Sequence, residues 1–219
     1  NVLIDPGPGS IVRCAKSRPR LDPTKLDGII LTHRHLDHSG DINVMIEAMT
    51  EGGFKKRGVV FCPADAVKKD PVILDYIKSF PQQIRIINAL KKYSVGNINF
   101  YTSMRHIHPV ETYGLKFKVN GSTIGLLSDT RYFDGLSKFY KNIDILIICV
   151  VFYEKRPGID HLCLSEAEKI IKMVRPGKAI LTHFGLTMLK AGLNSQSKRI
   201  SGVSGIEVLS AYDGMRVDL

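Results

Sequence analysis

Residues 29–40 read I-I-L-T-H-R-H-L-D-H-S-G, and no other stretch constrains the fold as strongly. Three histidines and an aspartate, His33, His35, Asp37 and His38, fall within six positions directly after an apolar run. Ile29, Ile30 and Leu31 read as a buried strand, so the polar cluster sits just past a strand end. Side chains of an extended segment alternate with period two, which turns His33 and His35 to one side. Two imidazoles on one side can bind one cation. Asp37 and His38 lie where the chain turns into the next helix and can face a second cation. Imidazole and carboxylate suit zinc, iron or manganese alike. The whole chain has only seven histidines, so three of them beside an aspartate make a poor accidental loop.

The other segments give a consistent pattern. N-V-L-I-D-P-G-P-G-S is a short strand ending in Asp5 and a Pro/Gly turn. A strand at 28–32 precedes the histidine cluster, and a helix follows from about Asp41 to Thr50. Its Ile42, Met45, Ile46 and Met49 form one apolar face. Val59 to Cys62 reads as a strand, and residues 64–69 and 71–80 as short helices. Ile84–Ile87 and Ile98–Tyr101 read as strands. Tyr113, Leu115, Phe117 and Val119 alternate with polar residues, a half-buried strand that turns at Gly121 into Thr123–Leu127. A short helix spans Asp134 to Tyr140, and the apolar Ile143–Val151 predicts a strand buried on both faces. Ser165 and Glu168 suggest a capping box that opens a helix ending at Pro176-Gly177. Ala179–Thr182 is a strand, 195–203 a helix, and Ile206–Leu209 and Met215–Val217 edge strands. The polar clusters fall at strand ends: His33 to His38, His108, Asp129 and His183. In layered α/β folds ligands collect there, which argues for one shared site.

Composition narrows the function. A chain of 219 residues with 44% hydrophobic content supports one domain, 1–219, with a sizeable core. No apolar run approaches the roughly 18–20 residues of a membrane span, and no basic-then-apolar signal peptide opens the sequence. Cys14, Cys62, Cys149 and Cys163 stand far apart, which suits a reducing cytoplasm. Thirty-one Lys and Arg against 21 Asp and Glu leave a formal charge of +10. Such a surface attracts phosphate esters, nucleotides or RNA. The basic pairs are dispersed, however, and read equally well as a solvated surface.

The H-x-H-x-D-H string resembles the signature of the metallo-β-lactamase superfamily of hydrolases. H-P-V-E-T-Y-G at 108–114, L-L-S-D-T at 126–130 and A-I-L-T-H at 179–183 extend the resemblance over nearly the whole chain. The two strings at 108–130 are most similar to ribonuclease Z and the phosphoribosyl cyclic phosphodiesterases. The resemblance implies a four-layer αβ/βα sandwich. Family members place further strands before the one that opens this sequence, so a missing N-terminus or a shortened fold is expected. It also implies two divalent metal ions, zinc or else manganese or iron. His33, His35 and His108 would hold one, Asp37, His38 and His183 the other, with Asp129 bridging. His106 competes with His108, and the spacing of His108 to Gly114 favours His108. Asp5 would orient a ligand histidine from behind, or else cap its own turn.

His161, in D-H-L-C-L-S-E-A, matches a histidine that these relatives carry before the equivalent helix. It would protonate a leaving group, or else cap local backbone. Asp37 could also take a proton from the attacking water. Two dications less Asp37, Asp129 and a shared hydroxide leave about +1 at the site, which attracts an anionic phosphodiester. The expected function is therefore a dinuclear phosphodiesterase acting on a small nucleotide-like or cyclic phosphate ester. The alternatives are a ribonuclease Z-like RNA-processing endonuclease and a lactone or thioester hydrolase. A binding scaffold without activity is a third class. The expected partners are an anionic small molecule or RNA, with no membrane, and a homodimer is left open.

Overall fold

Short runs of Val, Ile and Phe build the first sheet, from β1 (Val2–Ile4), β2 (Gly28–Ile30), β3 (Val59–Cys62) and β4 (Gln83–Ile86). They lie side by side in that order and every pair is parallel. The structure, a computed structural model, describes all residues from Asn1 to Leu219. The chain divides into two units, Asn1–Ile98 with Val110–Thr112, and Asn99–Pro109 with Tyr113–Leu219.

In the first unit all three residues of β2 are buried, as expected of a parallel strand covered on both faces. Three helices accompany the sheet: α1 (Ser10–Lys16), α2 (Leu36–Ser39) and α3 (Ile42–Met49). The apolar stripe of α3 is fully buried and packs with Leu31, Val60, Cys62, Ile73 and Ile77. Four such side chains at about 1.5–3 kcal/mol each make this stripe the chief anchor of the unit. Residues 71–80 do not form the expected helix. Lys69 and Asp70 take left-handed backbone (φ 39° and 63°) before Pro71, and only 3₁₀ turns at Ala64–Ala66 and Ile77–Ser79 remain. The unit also contains β5 (Lys92–Val95), which has two apolar residues and gave too weak a pattern to foresee.

The second unit holds β6 (Ile98–Arg105) from Asn99 on, β7 (Tyr113–Val119), β8 (Ser122–Leu127), β9 (Ile145–Cys149), β10 (Lys178–Thr182) and β11 (Glu207–Ser210). They follow the order β11-β10-β9-β8-β7-β6. Pairs from β11 to β8 are parallel, and β8–β7 and β7–β6 are antiparallel. Asn120 and Gly121, both at positive φ, close the β7–β8 hairpin in two residues. Its helices are α4 (Leu136–Phe139), α5 (Leu164–Val174), α6 (Leu186–Lys190) and α7 (Leu193–Ser204). Leu164, Ala167, Ile170, Ile171 and Val174 of α5 join Leu146, Ile148, Ala179 and Leu181 in one core.

Two expectations fail here. The capping box of α5 is Cys163 with Glu166, whose carboxylate accepts the Cys163 amide at 3.1 Å. Glu168 is drawn off to Lys172 and Arg199 instead (2.7 and 2.9 Å). Met215–Val217 forms no strand and has no sheet partner, although Met215 and Val217 are half-buried. No helix is long and apolar enough to cross a membrane. Cys62, Cys149 and Cys163 are buried, and no cysteine forms a disulfide.

Candidate metal centre

In the first unit the ligand-type side chains sit on one corner of chain. β2 ends at Ile30, and Leu31 still donates its amide to the Phe61 carbonyl, extending the strand line by one residue. Thr32 then meets Asp5, which follows β1. The Thr32 amide and hydroxyl donate to the two oxygens of the Asp5 carboxylate, both at 2.7 Å. Asp5 Oδ2 also lies 2.9 Å from His38 Nδ1. Asp5 itself has a left-handed backbone, φ 48°, a conformation in which Asp is enriched. Its carboxylate thus ties Thr32 to His38 across the corner, and the turn behind it is closed by the Asp5 carbonyl, which accepts the Gly7 amide at 2.8 Å. With Nδ1–H given to Asp5, the neutral His38 ring carries its lone pair on Nε2.

His33 is fully buried, and its Nδ1 lies 3.0 Å from the Thr32 hydroxyl. Its ring centroid is 5.0 Å from that of His35 and 4.0 Å from that of His38. His35 opens α2 as its N-cap, and its carbonyl accepts the amides of His38 and Ser39. Asp37 Oδ2 lies 3.8 Å from His38 Nε2, on a side chain 58% exposed. Asp5, His33 and His38 each offer a ligand atom, all within 4.8 Å of one another. Gly7 sets the corner's position from outside. A Cβ there would stand 2.1 Å from the Asp37 carbonyl oxygen, so only glycine lets the Pro-Gly turn lie against α2.

In the second unit the chemistry-bearing side chains come from four separate places. Asp129 follows β8, buried to 2%, and its Oδ2 lies 3.5 Å from His161 Nδ1 and 3.7 Å from His183 Nε2. His183 follows β10 with a left-handed backbone, φ 62°. Such strain in a non-glycine residue clusters at functional sites. His108 lies beyond β6, its Nδ1 3.0 Å from the Asp160 carbonyl, which fixes the neutral tautomer with the lone pair on Nε2. The ring centroids of His108 and His161 are 5.0 Å apart. His108, Asp129 and His161 offer ligand atoms within 4.8 Å of one another.

His106 belongs to no such group. It is fully buried, its Nδ1 meets the Asp129 carbonyl at 3.1 Å, and its Nε2 has no partner. Burial lowers its pKa to about 4, so it is a neutral brace behind Asp129. Thr130 braces the same loop, its hydroxyl accepting the Ile107 amide at 3.2 Å. Gly114 is obligatory for a different reason. A Cβ there would stand 1.7 Å from the Tyr140 hydroxyl, which donates to the Leu126 carbonyl at 3.1 Å.

Beside His161 opens a cleft of about 270 Å³, lined in part by Arg131, Tyr132, Lys155, Arg156 and Glu166. Arg131 faces Asp160 at 3.6 Å and Lys155 faces Glu166 at 3.0 Å. The Arg156 guanidinium lies 4.7 Å over the Phe152 ring, whose centroid is 6.1 Å from that of His161. Three cations against two carboxylates leave the cleft positive.

The donor set fits a divalent transition metal, because His38 and His108 each give Nδ1–H to an oxygen and turn a basic Nε2 outward, as ligand histidines do. Asp5 was expected from sequence to orient a ligand histidine or to cap its turn, and its 2.9 Å contact with His38 fits the first; Thr32 was not foreseen.

Comparison with known proteins settles the lineage. The family model for the beta-lactamase superfamily domain matches residues 1–184. The chain belongs to this superfamily. It is 28% identical over 227 residues to the uncharacterized protein MJ1374 of Methanocaldococcus jannaschii, covering 99% of this chain and 82% of that one. It is 28% identical over 181 residues to YhfI of Bacillus subtilis, named a probable metallo-hydrolase, covering 80% and 73% of the two chains. The crystal structure of YhfI, described as a metallo-β-lactamase fold protein, superposes with a TM-score of 0.78 at 24% identity over 98% of this chain and 85% of that one. Human tRNase Z, short form, superposes with a TM-score of 0.72 at 18% identity over 98% and 86%. The likeness to these structures is one of fold: mixed α/β with two sheets and helices.

Proposed function

We propose that this superfamily member is a metal-dependent hydrolase of phosphodiesters, acting on a small nucleotide-like or cyclic phosphate ester. The observation that carries the substrate class is the positive cleft beside His161. A phosphodiester anion gains from Arg131 and Arg156, whereas a neutral lactone or thioester gains little from that field.

The ligand assignment is the one read from sequence. His33, His35 and His108 would hold one ion, Asp37, His38 and His183 a second, and Asp129 would be shared. Zinc is the first choice, and manganese or iron accept the same donors. When bound, the ions would supply a water nucleophile active near neutral pH and would offset charge on phosphorus. Asp5 holds His38 in register through its 2.9 Å contact. His161, partly exposed and 3.5 Å from Asp129, would donate a proton to the departing oxygen. The Asp129 carboxylate lies beside that imidazole, and Asp37, the most exposed of the acids, would accept a proton from the attacking water.

The test is hydrolysis of bis(p-nitrophenyl) phosphate by metal-loaded protein, against lactone and thioester panels. Chelator-sensitive turnover of the phosphodiester alone is expected, and turnover confined to the neutral esters would end this reading. His161→Ala should lower turnover by about 100-fold, the scale of a lost general acid, with metal content unchanged. Loss of metal would make His161 a ligand instead.

A further inference from the structure

The antiparallel part of the second unit carries a cationic concavity that the proposed hydrolysis does not use. Directly paired residues of neighbouring strands point to the same face. Tyr101 of β6 pairs with Lys116 of β7, which pairs with Gly125 of β8. In the next row Asn99, Lys118 and Thr123 are paired in the same way. One face of the sheet therefore presents Tyr101, Lys116 and Lys118 together. The segment after α4 adds Lys141 and Asn142. With Phe139 these residues line a concavity of about 450 Å³.

The lining contains three lysines and no carboxylate. None of the three makes an ion pair, whereas Lys155, Lys172 and Lys178 elsewhere in the unit all do. Asp144, the acid that follows this segment, is turned to the Thr123 amide at 2.7 Å. Lys116 is half-buried, its ammonium 4.9 Å from the Phe139 ring centroid, and burial lowers its pKa from the usual lysine value. A partly desolvated cation with no counter-charge is costly until an anion arrives. Tyr101, 36% exposed, adds an aromatic surface at the edge of the charge.

We propose that this concavity binds a nucleoside phosphate, with Lys116, Lys118 and Lys141 holding the phosphate and Tyr101 meeting the base. Lysine point charges match phosphate, and an aromatic ring accepts any base by stacking. The volume suits a single nucleotide. The nucleotide can be free or a unit of a single RNA strand, because both present the same phosphate and base. The site stands apart from the hydrolytic reading and does not depend on metal.

The experiment is fluorescence anisotropy of the full chain with a fluorescein-labelled five-nucleotide RNA, competed by AMP, adenosine or inorganic phosphate. Saturable binding is expected, displaced by AMP and not by adenosine. AMP displacing at concentrations near those of unlabelled RNA assigns the site to free nucleotide; RNA displacing far better assigns it to a strand. Lys118→Glu with Lys141→Glu should weaken binding at least tenfold and flatten the logarithmic salt dependence by roughly 1.4, two contacts' worth for a single strand. Hydrolysis of bis(p-nitrophenyl) phosphate should stay within twofold in that variant, which shows a folded protein and keeps this test separate from the hydrolase reading. Lys190→Glu with Lys198→Glu changes net charge equally and should leave binding as it was. No saturable binding, displacement by adenosine as good as by AMP, or equal weakening by both pairs would overturn the proposal.

Discussion

The two clusters of ligand-type residues are built in opposite ways. His33, His35, Asp37 and His38 share one strand-to-helix corner, and a single carboxylate, Asp5, ties Thr32 and His38 across it. His108, Asp129, His161 and His183 come from four stretches spread over 76 positions, with His108 held at the Asp160 carbonyl and Asp129 and His183 following the ends of β8 and β10. In the first cluster a disturbance at one point moves every ligand together. In the second the side chains are held separately, and Asp129 is the one that lies beside two others.

The largest expected effect probes the dispersed cluster. Asp129→Ala should weaken metal binding by more than about 100-fold, beyond what removal of a supporting partner costs, and abolish turnover. The urea midpoint of the metal-free protein should move far less than the metal affinity. Two full metal equivalents retained would contradict the assignment. Gly7→Ala probes the contiguous corner. Its Cβ would lie 2.1 Å from the Asp37 carbonyl, so the turn or the corner must shift. A loss of about 3 kcal/mol in urea unfolding is expected, with metal content falling for all four ligands at once. An unchanged midpoint with full metal would show that the corner tolerates displacement.

Asp5→Ala frees His38 to rotate and takes the acceptor from the Thr32 amide and hydroxyl. Metal affinity, read by competition with a chromogenic chelator, should drop by about 10- to 100-fold. An affinity equal to wild type would reduce Asp5 to a turn residue. The smallest effect is Thr130→Val, which removes the acceptor of the Ile107 amide. It should cost about 1 kcal/mol in unfolding with metal affinity intact, since His108 has its own anchor at the Asp160 carbonyl.

The elements that the sequence foretold best have strong periodicity. The stripe of α3 and the apolar run of β9 declare themselves because each residue's environment repeats along the chain. Weakly patterned elements escaped. α1 has no buried residue, α6 buries only Met188, and β5 has four residues. The expected helix at 71–80 and capping box at Ser165 failed because local signals lost to positive φ before Pro71 and to the ion pairs of Glu168.

The sequence by itself determined the family, the mixed α/β class and which residue types could carry metal chemistry, because all of these lie in short motifs at strand ends. Only the tertiary structure decided the roles that depend on distance. It separated His106 from His108: the first is buried against the Asp129 carbonyl, the second is turned by Asp160 to present Nε2. It gave Asp5 its work, through a carboxylate that reaches residues 27 and 33 positions away. It also gathered Lys116, Lys118 and Lys141 around one hollow, where the chain order had suggested only scattered charge. Period and spacing place a side chain on its own element. Where two elements bring their side chains together is fixed by packing, which no single segment encodes.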